Sequence, residues 1–264
     1  MKVFWVSVLL LLLGTGCGPT YPKQILADSL IQLCQKEYGV DVSVQMAGKT
    51  LGVRVPLEKL FDSTLQLSPD VGEKLDGVIL STSRVVLSTD DPPDFYVIVA
   101  QDRRIPGVEL KLTRYVQDIR RLYYEDLSRS EYTKRMLFEF GLDLGIFEEG
   151  SDAFHMEEVQ FEDFLAKQMA HRTKAHFEED AALQDMVEIK SVRGQFIPHA
   201  PSGKFVLTLE LQKREFELWG RPGQEDEEKI LAATLSVVTQ VLRGYRFTDF
   251  DSVEIKAPFL GASL

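Results

Sequence analysis

The amino-acid sequence predicts an α+β fold in which antiparallel sheets, built from hairpins, pack against helices around a helical middle segment. In several short segments apolar residues alternate with polar ones, a pattern typical of strands with one buried face. Other segments repeat their apolar residues every three to four positions, as amphipathic helices do. Because tight turns join the strand segments in pairs, their sheets are expected to be antiparallel.

The first half of the chain contains two segments with the order helix, strand, strand. Residues 22–38 have the spacing of a helix that starts near Pro22 and ends at Gly39, and residues 40–46 and 51–55 alternate as a hairpin. A second predicted helix precedes a buried strand at 95–100 and its partner at 108–112. We interpret this as a quasi-repeat of element order, since the two segments share no clear sequence identity.

The middle of the chain is predicted to be helical, and the C-terminal part returns to strands. The sequence Ser128-x-x-Glu131 is a capping box that starts a helix ending at Gly141. The strand at 187–196 is expected to be irregular near Gly194. The remaining predicted elements are helices at 75–86, 116–127, 161–178 and 225–242, and strands at 205–211 and 253–255.

These elements suggest a division of the chain into modules, and one continuous domain stays open as the alternative. Five segments can be distinguished: 1–16 as a signal peptide, 17–21 as a lipidated tether, 22–141 as an α+β module, 142–185 as a helical connector and 186–258 as a ββαβ module.

Composition narrows the class of protein. The chain has 264 residues, of which 44% are hydrophobic and 27% are charged, and this balance is typical of globular proteins. The net charge of −11 opposes binding to phosphate backbones. Nucleic acid is therefore not an expected partner.

The N-terminus has the three parts of a secretory signal. Lys2 supplies a positive charge, residues 3–13 are apolar apart from Ser7, and small residues precede Cys17. Eleven helical residues extend only about 16 Å, roughly half the thickness of the hydrocarbon core of a bilayer. A stable transmembrane span is therefore not expected.

The sequence Leu13-Gly14-Thr15-Gly16-Cys17 resembles the lipobox of bacterial lipoproteins. This resemblance implies that the thiol of Cys17 is acylated, that the preceding peptide is removed and that the new N-terminus is acylated too. Several acyl chains would anchor the protein stably. Gly18 is not the aspartate that retains such proteins in the inner membrane, so the resemblance implies the periplasmic face of the outer membrane.

The expected lipidation of Cys17 also predicts the state of the second cysteine. The chain has only Cys17 and Cys34, and lipidation of the first leaves the second without a disulfide partner. Cys34 lies on the apolar side of the predicted helix, where a buried and inert thiol is expected.

Several motifs that suggest chemistry are incomplete. Ala47-Gly48-Lys49-Thr50 matches the end of a phosphate-binding loop, but Ser43 stands where glycine is required and a strand follows instead of a helix. The sequence G-x-S-x-G of serine hydrolases is absent, and nothing selects a catalytic pair among the 41 acidic residues.

Potential metal ligands also lack a standard pattern. The four histidines have no spacing typical of a zinc site, and three aspartates in a proline-containing loop do not match a calcium loop. We interpret them as surface residues and expect no metal and no cofactor. These residues are His155, His171, His176 and His199, and Asp90, Asp91 and Asp94.

A basic and aromatic segment is the best candidate for an interaction surface, because Arg and Tyr are favoured at binding hot spots. The alternative is a helix pair that buries its tyrosines and exposes its arginines to solvent. The candidate residues are Arg114, Arg120, Arg121, Tyr123, Tyr124, Arg129, Tyr132 and Arg135.

Together these observations predict a lipid-anchored envelope lipoprotein without enzymatic activity that binds another envelope component or acts in assembly. The alternative is an exported hydrolase or ligand-binding lipoprotein whose site is assembled from residues distant in sequence. The sequence leaves the oligomeric state open.

Overall fold

A computed structural model describes residues 21–62, 64, 66–143, 154, 156–199, 202–213, 224–257 and 262–263. The chain divides into two compact units, residues 1–158 (unit 1) and residues 159–264 (unit 2). The division falls within the segment 142–185 that the sequence assigned to a connector. Each unit combines helices with one mixed sheet, which confirms the predicted α+β class.

Unit 1 contains four described helices and a five-stranded sheet. A 3₁₀ turn at Lys23–Ile25 precedes the first helix. The elements are α1 (Leu26–Tyr38), β1 (Ser43–Ala47), β2 (Thr50–Leu57), α2 (Pro69–Leu87), β3 (Phe95–Asp102), β4 (Val108–Tyr115), α3 (Val116–Tyr123), α4 (Arg129–Lys134) and β5 (Leu137–Leu142).

The strands of unit 1 lie side by side in sequence order. β1 and β2 form the predicted hairpin, β3 and β4 form a second one, and β5 adds an antiparallel strand beside β4. However, β2 and β3 are parallel, with Val53 opposite Ile98. The prediction of purely antiparallel sheets was therefore wrong, because α2 carries the chain back and returns it in the same direction.

One face of this sheet forms the core with α1 and α2. Val53, Ile98 and Leu112 are almost fully buried in register, beneath Leu30 of α1 and Val78 of α2. This burial of apolar side chains is the main stabilising contribution to the unit.

The last turn of α1 has the predicted glycine cap. Gly39 adopts a left-handed conformation, with φ of 63°, and its N–H donates to the carbonyl of Gln35. The N–H of Val40 donates to the carbonyl of Cys34, so the two amides that follow the helix satisfy carbonyls of its last turn. Glycine is favoured at the left-handed position because it has no Cβ.

Unit 2 begins with two helices and contains a four-stranded sheet. Its elements are α5 (Phe161–Glu179), α6 (Ala181–Met186), β6 (Val187–Pro198), β7 (Gly203–Lys213), α7 (Gln224–Tyr245), β8 (Ser252–Ala257) and β9 (Ala262–Ser263). The strand order is again sequential, with antiparallel, parallel and antiparallel pairs. Apart from the short α6, this is the order of α1 to β4 in unit 1.

Two local predictions were wrong. The helix expected to reach Gly141 ends at Lys134, although Ser128 caps it as predicted, and residues 137–142 form strand β5. The irregularity of β6 lies between Ile189 and Ser191 and not at Gly194. Gly194 instead allows the backbone of α5 to approach closely, since a Cβ there would lie 1.9 Å from the carbonyl oxygen of Ala166.

Candidate functional site

Most arginines of the predicted interaction segment are partly or fully buried. Arg114 donates from a terminal guanidinium nitrogen to the hydroxyl of Tyr96 at 2.8 Å, and its Cζ lies 5.1 Å from the ring centroid of Tyr132. Its Nε is 3.0 Å from the sulfur of Met136. Burial raises the pKa of Tyr96 and of Tyr132 above the ordinary value, so both phenols stay neutral. Arg114 therefore stabilises the fold.

Arg135 is the most buried of these arginines, with 5% of its surface exposed. It donates to Asp118 Oδ1 at 2.9 Å and to Glu131 Oε1 at 2.9 Å. Asp118 is 2% exposed, and Arg121 Nη1 approaches the same carboxylate at 3.8 Å. These charges join α3 to α4 through a buried ion pair, which is costly to break from one side.

The exposed part of the segment is aromatic. Tyr123 and Tyr124 are 66% and 83% exposed at the end of α3. Arg129 is exposed as well, and Arg120 is half-buried. The alternative interpretation, in which tyrosines are buried and arginines solvated, fails at Tyr123, Tyr124 and Arg135, and it fits Tyr132 and Arg129. Only the exposed residues remain candidates for contact with a partner.

Strand β5 adds exposed apolar residues that the sequence did not indicate. Phe138, Phe140 and Leu142 are 45%, 63% and 58% exposed and alternate along one face of the strand. In register they lie opposite the core residues Leu112 and Leu110 and the half-buried Val108, so they extend the helix-bearing face of the sheet. The ring of Phe140 also contacts Phe61, with centroids 5.7 Å apart.

We call the residues Phe138, Phe140 and Leu142 the β5 surface. In the described part of the chain β5 is the last strand of its sheet, and no described strand pairs with its outer side. An edge strand with apolar side chains can bind a further strand, because the backbone supplies hydrogen bonds and the side chains supply apolar contact.

The Gly48-Lys49 turn joins β1 to β2, as the failed phosphate-loop match predicted. The N–H of Lys49 donates to Glu158 Oε1 at 2.7 Å, and Gly48 has φ of 55°. The carboxylate of Glu158 thus accepts the hydrogen bond of a backbone amide that a bound phosphate would need.

The aspartate-rich loop pairs with lysines. Asp90 accepts from the backbone N–H of Lys23 at 3.0 Å, and Asp91 contacts the ammonium groups of Lys23 and Lys49. These hydrogen bonds lower the pKa of the Asp91 carboxyl. Tyr21 is held nearby, because its N–H donates to the carbonyl of Ser88 and it forms a parallel bridge with Thr89.

The three histidines that the structure describes do not converge. His171 and His176 lie on α5, and His199 Nε2 is 3.3 Å from Asp251 Oδ2 on an exposed surface. His155 lies outside the described residues. Among the residues that the structure describes, no group of three histidine, cysteine or acidic side chains could hold a metal ion.

The two cysteines differ in what the structure shows. Cys17, the predicted lipidation site, lies outside the described residues. Cys34 is a free thiol, fully buried in the core of unit 1, and its burial raises its pKa to about 11. A thiol that is buried and protonated at neutral pH is inert.

Unit 2 contains an open cleft of about 650 Å³ that the sequence did not indicate. It lies between the C-terminal half of α7, the following segment 246–250 and the start of β8. Apolar side chains form most of its surface, and Arg243 and Arg246 lie at its rim. The apolar lining residues are Leu235, Val238, Leu242, Phe247, Phe250 and Val253.

Comparison with known proteins gives no relative. No protein-family model matches the chain, and neither a curated protein nor a solved structure matches it. In the described part of the chain, no helix has both the length and the apolar character needed to span a membrane.

Proposed function

We propose that this protein is a lipid-anchored component of the bacterial cell envelope that acts by binding another envelope protein and not by catalysis. The lipobox-like sequence ending at Cys17 supports the anchor, and the β5 surface supports the binding role. The β5 surface is the observation that carries the proposal, because neighbouring apolar side chains on an edge strand are uncommon unless a partner covers them.

The short tether restricts the orientation of unit 1. Only four peptide units separate Cys17 from Tyr21, and four residues span at most about 14 Å. Because Tyr21 is bound to Ser88 and Thr89, an acylated Cys17 would hold this end of unit 1 close to the lipid headgroups. β5 starts near this end and runs away from it, since Leu137 lies opposite Thr113 and Leu142 opposite Val108. The β5 surface would therefore stay within reach of another envelope protein.

The occupant that fits this surface is an extended apolar segment of a partner protein that adds a strand beside β5. Alternating side chains of such a segment would cover Phe138, Phe140 and Leu142. The exposed rings of Tyr123 and Tyr124 supply further aromatic contact surface in the same unit.

Photo-crosslinking in intact cells tests the binding role. A photoreactive amino acid at Phe140 should capture one defined envelope protein. The same amino acid at Leu80, an apolar residue of α2 that is 54% exposed, serves as the matched control. Capture of the same products at both positions, or of a second copy of this chain at Phe140, would contradict the proposed partner.

The anchor is tested separately by intact mass and fractionation. Wild-type protein should be found in the membrane fraction with the mass of a diacylglyceryl group, and the Cys17→Ala variant should lack both properties. An unmodified Cys17, or a Cys17–Cys34 disulfide, would refute lipidation but leave the crosslinking result interpretable.

A further inference from the structure

The cleft in unit 2 has the size and lining of a small-molecule site. Its volume of about 650 Å³ lies within the range of about 300–1,000 Å³ that ligand pockets occupy. Phe205 packs against Phe247 and Phe250, with ring centroids 5.9 and 5.7 Å apart, so the aromatic wall is held from the interior. A preformed apolar wall favours a ligand with a hydrocarbon chain.

Two cationic groups lie at the rim of this apolar surface. Arg243 and Arg246 are both exposed, and neither forms an ion pair with a carboxylate of the described residues. Asp249 and Asp251 belong to the same loop, but Asp251 contacts His199 instead. Guanidinium groups without a protein partner are suited to an anionic headgroup.

The backbone of Arg246 provides an independent indication. Arg246 has φ of 55°, and its N–H donates to the carbonyl of Arg243, while the N–H of Phe247 donates to the carbonyl of Leu242. These two bonds form a Schellman motif with Arg246 at its left-handed position, and at the end of α1 the left-handed position is occupied by a glycine, Gly39. A residue with a Cβ is disfavoured there, and strain that is retained in this way is often associated with function.

Comparison of the two units points in the same direction. In unit 1 the corresponding segment, between α2 and β3, is occupied by the chain itself through Tyr21 and through the pairing of Lys23 with Asp91. In unit 2 the segment between α7 and β8, which contains Arg246, lines the open cleft.

From these observations we infer that the unit 2 cleft binds a fatty acid, with the alkyl chain against Val238, Leu242 and Phe250 and the carboxylate between Arg243 and Arg246. The apolar lining favours burial of the methylenes of the alkyl chain, and the arginines select an anionic head. The cleft lies within unit 2, so this binding does not require an acyl chain on Cys17.

Photolabelling of the full-length protein in membranes of the expressing bacterium tests the site. The probe is a fatty acid with a photoreactive diazirine in its chain, and labelled peptides are identified by mass spectrometry. Label should map to residues 235–253, and excess dodecanoate should remove it, whereas dodecyltrimethylammonium should not. Labelling elsewhere, or equal competition by the cation, would overturn the proposal.

Variants separate recognition of the head from integrity of the fold. Arg246→Gly places the favoured residue at the left-handed position, so it should remove a cationic group without unfolding α7. Arg243→Gln and Arg246→Gly together should reduce labelling about tenfold or more, since each loses a charge-assisted hydrogen bond. Lys229→Gln, which removes a charge from α7 outside the cleft, should label like wild type.

Two further outcomes would contradict the proposed ligand or the proposed role of the arginines. Stronger competition by dodecyl phosphate than by dodecanoate would overturn the carboxylate assignment in favour of a phosphate-headed lipid. Unchanged labelling of the folded double variant would show that the arginines do not bind the head, and the proposed site would then be wrong.

Discussion

The buried pair of Arg135 and Asp118 allows a quantitative test of how unit 1 is held together. In the variant Arg135→Met the hydrocarbon stem is kept and the charge is lost, so Asp118 stays 2% exposed without the arginine that lies 2.9 Å away, and Arg121 remains at 3.8 Å. Removing one partner of a buried pair costs about 3–5 kcal/mol. Because Arg121 compensates part of the charge, we expect a loss of about 3 kcal/mol in the free energy of unfolding.

Cys34 supplies a probe that is specific for unit 1. Folded Cys34 is fully buried and has a pKa of about 11, whereas an unfolded thiol has a pKa of about 8.5 and reacts readily. Pulsed thiol labelling in urea, in a Cys17→Ala background, therefore reports the unfolded fraction. With a slope near 2 kcal/mol/M, a loss of 3 kcal/mol lowers the midpoint by about 1.5 M.

Two controls make the result decisive. Arg129→Met removes an exposed charge from the start of α4, the helix that Arg135 follows, and should change stability by less than about 0.5 kcal/mol. The double variant Asp118→Leu/Arg135→Met removes both charges and should recover much of the loss, since apolar replacements of a buried pair are often neutral. If Arg135→Met cost no more than Arg129→Met, or if the double variant were the least stable, the inferred role of the pair would be refuted.

Three further predictions concern backbone and turn positions. Gly194→Ala should destabilise unit 2 by roughly 1–3 kcal/mol, measured by hydrogen exchange of β6, because the new Cβ would lie 1.9 Å from a backbone oxygen. The control Gly72→Ala in α2, where a Cβ would meet nothing within 4 Å, should not destabilise unit 1. Arg246→Gly should stabilise α7 by about 0.5–1 kcal/mol in the same assay, and a loss would contradict the strain argument. Burial alone would raise the pKa of Asp102, but three backbone N–H donors outweigh it and lower the pKa. The ionised Asp102 should therefore contribute its full stabilisation of the fold above the ordinary aspartate pKa, and this contribution should be lost as the pH falls through the lower pKa of the folded state. Asp102→Asn should abolish this acid sensitivity of the free energy of unfolding, measured by urea titration.

Local patterns in the sequence were sufficient for much of the fold. The cap at Gly39, the hairpin of β1 and β2 and the capping box at Ser128 each depend on residues within a few positions of one another. In contrast, the relative direction of strands from successive hairpins depends on residues far apart in the sequence. Alternation of apolar residues specifies a buried face but not whether the neighbouring strand is parallel, so the pairing of Val53 with Ile98 could not be predicted.

Strand β5 shows how spacing can mislead. Tyr132, Met136 and Phe140 recur every four residues, which predicted a helix to Gly141. The same residues are compatible with alternation of Met136, Phe138 and Phe140 on one face of a strand, and pairing with β4 decides between the two. Long-range pairing with β4 therefore overrode a local helical pattern. For the same reason the β5 surface could not be predicted from the sequence.

Arginine residues illustrate the same limit for the candidate sites. The composition of residues 114–135 indicated a basic surface. However, the burial of Arg135 depends on its ion pair with Asp118, which lies 17 positions earlier in the chain. Arg243 and Arg246 stand on a helix end that looked ordinary, and only the fold brings Phe250 and Val253 beside them. A cation near apolar residues in sequence thus does not distinguish a structural ion pair from a binding group.

The common order of elements in the two units explains where candidate sites occur. Both units place a crossover helix between two hairpins, and this arrangement uses the apolar faces of the helix and sheet to form a core. Phe138 and Phe140 are exposed outside that shared arrangement, on the added strand β5, and Phe250 lines the cleft from the segment after α7, while single exposed apolar residues such as Leu80 of α2 also occur on the shared helices. Since the core accounts for the shared elements and not for these additions, the additions are where binding is to be sought first.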